Sequence, residues 1–171
     1  KVSLPELLNR ETGNPWVMTR EQLVSMALNM GNAGNIQRLV DGYGWNEEAV
    51  RRVLNRELTA ADWQYVQGVW DTIDSLWPEI AAMERRVNGV EPEKVEAVPL
   101  VTAHGTLRGG YFPAIYDPRK SIEAEANAAK ASDIFENTYT KATTRASSTK
   151  ERSDKVKRPI HLSLLIAFGD L

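Results

Sequence analysis

The sequence predicts an α+β protein, mainly helical, with a long kinked Trp-rich helix and a small antiparallel β-hairpin or sheet. Three observations carry that expectation. First, Trp63, Val66, Trp70, Ile73, Trp77, Ile80, Glu84 and Val87 recur at alternating three- and four-residue spacing, the heptad seam of an α-helix. Second, several helix-cap signals precede that seam. Third, residues 95–101 (Val-Glu-Ala-Val-Pro-Leu-Val) alternate and are rich in Val, as strands are. Composition narrows the classes further. The chain has 171 residues, is 42% hydrophobic and 26% charged, and has no Cys. It is therefore neither a low-complexity nor a disulfide-stapled chain, and it can offer no thiolate ligand or thiol nucleophile. Its longest apolar run, at 164–168, is far below the roughly 20 residues of a membrane helix, so no membrane span is expected.

Residues 1–58 are expected to form short helices. Residues 1–14 are polar apart from Val2, Leu4, Leu7 and Leu8, and Pro5 sits where a first helical turn tolerates it. Residues 12–15 (Thr-Gly-Asn-Pro) mark a turn carrying Trp16. Thr19 followed by Gln22 reads as a capping box, and Leu23, Met26, Ala27 and Met30 as one helix face ended by Gly31. Residues 32–35 (Asn-Ala-Gly-Asn) read as a linker before a short helix over about 36–40. Asn46 caps the next helix, which buries Ala49, Val50, Val53 and Leu54.

Residues 59–140 complete the same domain. Thr59 with Asp62 starts the long helix. Pro78 bends it rather than dividing it, because the ring removes one backbone bond and crowds the preceding turn. Asn88-Gly89 ends it. The strand over 95–101 has Pro99 as an edge marker, His104-Gly105 as its turn and residues 107–113 as its return, where Gly109 and Gly110 signal a bulge or a close backbone approach. An Ala-rich helix with a thin apolar face follows over 121–141. Residues 141–158 then read as a flexible basic arm, and 159–171 as a C-terminal strand cut short.

Candidate chemistry is sparse. The arm carries seven basic and two acidic residues, a net charge of +5, within a chain of net charge −2. Its Lys150, Arg152, Lys155, Lys157 and Arg158 are the candidate nucleic-acid contacts, since cations on a mobile segment neutralise phosphates. Against that, the arm has no aromatic residue on which a base could stack. Trp63, Trp70, Ile73 and Trp77 are the candidate interface residues, because aromatics at heptad spacing pack against other helices or a partner chain. His104 and His161 are the only histidines, and no HExxH, GxSxG or phosphate-loop motif occurs. Asp71 and Asp74 flank the tryptophan stripe as acids on an amphipathic helix do, and Arg108 beside two glycines offers an anion contact. No catalytic, metal or cofactor-binding residue is assigned, and no cofactor is expected.

Three stretches in this order form a recognisable combination: the aromatic helix over 63–86, residues 108–117 (Arg-Gly-Gly-Tyr-Phe-Pro-Ala-Ile-Tyr-Asp), and residues 149–152 leading to 158–162 (Arg-Pro-Ile-His-Leu). Together they resemble the very large polyvalent or internal virion proteins of tailed bacteriophages and prophages. The resemblance implies a piece of a larger protein, located in a virion or in the bacterial host cytoplasm, whose partners are other segments or copies of that protein. It transfers no catalytic residues. The function expected is a non-enzymatic structural or interaction module. A nucleic-acid-associated module using the basic arm and a fragment of a polymer-hydrolysing enzyme are the alternatives. Self-association into a homo-oligomer and contact with nucleic acid both stay open at this point.

Overall fold

The computed structural model describes residues 1–114 together with Ile160 and Leu162. Over these residues the protein is α+β and mainly helical: β1 (Val2–Leu8), β2 (Pro15–Met18), α1 (Arg20–Leu28), α2 (Ala33–Tyr43), α3 (Glu47–Glu57), α4 (Ala60–Ser75), α5 (Trp77–Asn88), β3 (Leu100–Thr102) and β4 (Gly105–Leu107). The strands form two separate antiparallel pairs, β1 with β2 and β3 with β4. The expected Ala-rich helix, the basic arm and all of the C-terminal strand except Ile160 and Leu162 lie outside the described residues.

The first strand replaces the expected helical turn at Pro5. Leu4 pairs with Trp16 and Leu8 with Pro15, so the register slips between them. Pro5 falls within that slip, where a missing N–H disturbs no ladder bond. The slip also sets which side chains point inward. Leu4 and Leu7 are both fully buried, a spacing that an unbroken period of two cannot produce. Arg56 of α3 pairs with Glu6 of this strand. The hydrogen bond from Arg56 holds the Glu6 carboxyl below the usual carboxylate range.

The helix caps form where the sequence places them. Thr19 with Gln22 and Thr59 with Asp62 are both complete capping boxes. Asn46 caps α3, whose buried residues are Ala49, Val50, Val53 and Leu54. Helix α1 is more deeply enclosed than its predicted single face implies: every residue from Leu23 to Leu28 is buried, Ser25 included. Helix α2 is longer than expected at both ends. Asn32 is its N-cap and Asn35 lies inside its first turns, so the stretch read as a linker is a helix start.

The long helix bends at one residue. Helices α4 and α5 meet at Leu76, whose backbone is still right-handed helical, and Pro78 occupies the first turn of α5. There the ring removes an N–H that has no intrahelical partner in any case. Leu76 N donates to Ile73 O and Ile80 N donates to Leu76 O, so hydrogen bonding runs through the bend. The hairpin after it is shorter than its predicted extent. Leu100 pairs with Leu107 and Thr102 with Gly105. Residues 95–99 and 108–114 are not in strands. Instead both segments dock on the α1–α2 junction: Val98 N and Gly110 N each donate to Gly31 O at 2.9 Å.

That junction is polar and sealed. Asn29, Asn32 and Asn35 are each 1% exposed or less. Asn29 Nδ2 donates to Ser25 O, Asn32 Nδ2 to Gly110 O, and Asn35 Nδ2 to both Asn29 Oδ1 and Phe112 O. Trp70 closes the other side, with its indole N–H donating to Leu28 O at 2.9 Å. Three glycines make this approach possible. A Cβ on Gly31 would lie 2.5 Å from Cε2 of Trp70, and one on Gly110 would lie 2.7 Å from its Cγ. Gly109 has φ +81° and faces Gly31 O and Val98 O. The close approach anticipated for Gly109 and Gly110 is therefore what the fold uses them for.

A second polar link ties α1 to α4. Arg20 donates through Nε and Nη2 to Asp62, at 3.0 and 2.8 Å, and Thr59 donates to the same carboxylate from its backbone and its hydroxyl. Burial pushes the Asp62 carboxyl up, but these hydrogen bonds outweigh it and hold the group below its ordinary value. A carboxyl lowered in the folded state stabilises the fold above its unfolded pKa and loses that contribution as pH falls through its folded one. Arg20 is two-thirds exposed, so solvent screens its share. Asp62→Asn is expected to cost about 1–2 kcal/mol at pH 7. The gap from wild type should narrow as urea unfolding is repeated toward about pH 3.

Candidate interaction surface

Each candidate interface residue has a definite place. Trp63 and Trp70 are 3% and 1% exposed and belong to the core, where α4 packs on α1. Ile73 and Trp77 are half-buried at the bend. The tryptophan seam therefore leaves the core as the helix proceeds. Trp63, Val66 and Trp70 are buried, Ile73, Trp77, Ile80 and Glu84 are half-buried, and Val87 is 66% exposed. Of all twelve residues in α5, Ala81 is the buried one.

Beside the seam runs a second apolar stripe that the seam masks in the sequence. Tyr65, Val69, Leu76, Ile80, Met83 and Val87 share one side of α4–α5, with Leu76, Ile80, Met83 and Val87 at four-three-four spacing. Tyr65, Leu76, Met83 and Val87 are exposed large hydrophobics, and Val90 just beyond the helix is another. The upper part of the stripe opens into a groove of about 460 Å³ lined by Tyr65, Gly68, Val69, Thr72 and Ile73. Thr72 donates its hydroxyl to Gly68 O, which turns its polar atom onto its own helix. Exposed aliphatic side chains set close together on one helix side are the kind of surface that docking uses.

Across Ile73 from this groove lies a cleft of about 580 Å³ between α4 and the segments 94–97 and 108–111. Here the structure gives each of the two acids of the sequence reading a cation. Arg108 pairs with Asp71 at 2.7 Å, and Lys94 pairs with Asp74 at 2.5 Å. Gln67 bridges them, accepting from Arg108 N and donating to Asp71. Lys94 also stands 6.0 Å over the Trp77 ring. Arg108, the cation the sequence offered to an anion, is thus matched by Asp71 of α4, and with the Lys94–Asp74 pair it ties α4 to the segments after α5 and after β4.

The remaining candidates are not assembled into a site. His104 lies in the exposed turn between β3 and β4, and His161 lies outside the described residues. So do Lys150, Arg152, Lys155, Lys157 and Arg158. Among the described residues no three His, Asp or Glu side chains are grouped as a metal site would need. Nor is any described helix long and apolar enough to cross a membrane. Ile160 and Leu162 are buried in the core, and Tyr43 donates its hydroxyl to Ile160 O at 2.6 Å. Tyr43 itself stacks on Trp45 at 4.3 Å, with Trp16 edge-on to both rings. No protein-family model, curated protein or solved structure matches the chain.

Proposed function

We propose that this chain is a non-enzymatic interaction module, a part of a large phage or prophage protein, that presents α5 and the adjoining face of α4 to a protein partner. The observation that carries the reading is the exposed apolar row Leu76, Met83 and Val87 on a helix that buries only Ala81 against its own body. Packing does not account for that row within the described residues, whereas docking onto another helix does. The motifs over 63–86, 108–117 and 149–162 support the phage setting by resemblance. A photo-crosslinking amino acid placed at Met83 should capture a discrete protein adduct in cells. The same amino acid at Gln37, exposed on α2, should not. Equal capture at both positions, or none at Met83, refutes the assigned surface.

A further inference from the structure

We propose that the partner on α5 is a second copy of this chain, docked antiparallel to form a twofold-symmetric dimer; the proposal rests on the interaction surface assigned above. Charge pattern selects this occupant. Glu79 and Arg86 are exposed and stand seven residues apart along one edge of the Leu76–Ile80–Met83–Val87 stripe. Every other charged side chain of α4 and α5 has an ion-pair or hydrogen-bond partner: Asp62 with Arg20, Asp71 with Arg108, Asp74 with Lys94, Arg85 with Glu91, and Glu84 with Asn88. Glu79 and Arg86 have no ion pair among the described residues.

In an antiparallel pair of α5 helices, Leu76 falls opposite Val87 of the partner subunit, and Ile80 opposite Met83 of the partner subunit. Residues at the same edge position then meet across the twofold axis. Glu79 comes beside Arg86 of the partner subunit, and Arg86 beside the partner's Glu79, so one pairing creates two opposite-charge contacts. A parallel pairing instead sets Glu79 beside Glu84 of the partner subunit, two like charges. The antiparallel arrangement also gives Val90 a place. It lies level with Ile73 of the partner subunit, at the mouth of the groove lined by Val69 and Thr72.

Size sets the strength. Helix α5 has 12 residues, about 18 Å of length at 1.5 Å per residue. The shared surface is then at the small end of specific interfaces, where micromolar association is the expectation.

Sedimentation velocity on the full chain, from about 1 μM to about 1 mM, should show a concentration-dependent monomer–dimer equilibrium. Glu79→Lys alone and Arg86→Glu alone should each weaken the dimer about tenfold, because symmetry repeats each like-charge contact. The double variant should return to within about threefold of wild type, since it restores both pairs in reverse. Both positions are exposed, so circular dichroism should be unchanged in all three. A wild-type chain that stays monomeric overturns the proposal, as does a dimer indifferent to the reversals or one the double variant fails to rescue. A monomer that still crosslinks a foreign protein through Met83 overturns the second copy and leaves the interaction surface standing. A monomer that crosslinks nothing overturns both.

Discussion

Trp70→Ala is expected to lower the unfolding free energy by about 3–5 kcal/mol, the range for emptying a fully buried aromatic site. Three losses combine. The ring is 1% exposed, so its apolar area and its packing contacts disappear together. The carbonyl of Leu28 loses the indole donor that satisfies it. The backbone of Gly31 and of Gly110 loses the flat surface against which it lies. Trp70→Phe separates these contributions, since it keeps most of the ring and removes the N–H. It should cost about 1–3 kcal/mol, the penalty for an unpaired buried acceptor. Urea unfolding followed by far-ultraviolet circular dichroism reads both. A Trp70→Ala loss below about 1 kcal/mol would show that the ring does not hold the junction as described.

Asn35→Ala is the second large effect, at about 2–5 kcal/mol, although the side chain is small and polar. Its amide donates to Asn29 Oδ1 at 3.2 Å and to Phe112 O at 2.7 Å. Truncation takes a donor away from both acceptors in a sealed site, at about 1–3 kcal/mol each. A second substitution reverses the usual pH dependence of an acid. In Asn35→Asp the new carboxyl faces carbonyl oxygens, so it is favoured only when protonated and its folded pKa is raised. A raised carboxyl contributes stability below its unfolded pKa near about 4 and loses it as pH climbs through the folded value. Asn35→Asp should therefore become less stable from acid toward neutral pH, opposite in direction to the Asp62 contribution of the wild type. Parallel stability–pH profiles for the two would refute this account of the junction.

The parts of the fold legible in the sequence are those set by neighbours in the chain. Thr19 with Gln22, Thr59 with Asp62, and Asn46 form their caps because a capping bond spans three residues. The bend at Pro78 and the glycine approach at 109–110 were legible for a similar reason: one ring and one missing Cβ each act locally. What distant segments decide was not. Leu4 and Leu7 share a face only through a register slip against β2, and that slip erases the alternation that announces a strand. Asn32 and Asn35 carry the composition of a linker, yet their donors are matched by Gly110 and Phe112, far along the chain. Val95 to Val98 alternate like a strand, but Pro99 lacks an N–H and Val98 bonds Gly31 rather than a neighbouring strand. At the candidate surface, the tryptophans drew the reading to the buried seam, because aromatic residues dominate any hydrophobic pattern. The exposed stripe shares Ile80 and Val87 with that seam and widens it toward Tyr65, Leu76 and Met83, which is legible once exposure is known.

The α1–α2 junction also dictates an order of assembly. Asn32 finds its acceptor, Asn35 its second acceptor, and Gly31 O its donors, only after residues 98–112 arrive. A chain emerging from a ribosome can wind α1 and α2 early, since their bonds are local, but their junction lacks its partners until the segment 98–112, more than fifty residues beyond the end of α2, is made. Closing that loop costs entropy, which grows only slowly with loop length, and the junction has its full set of partners only when the loop is closed. During synthesis the N-terminal helices are therefore a compact but incomplete body, and the arrival of the 108–112 segment is the event that commits the domain to its native packing.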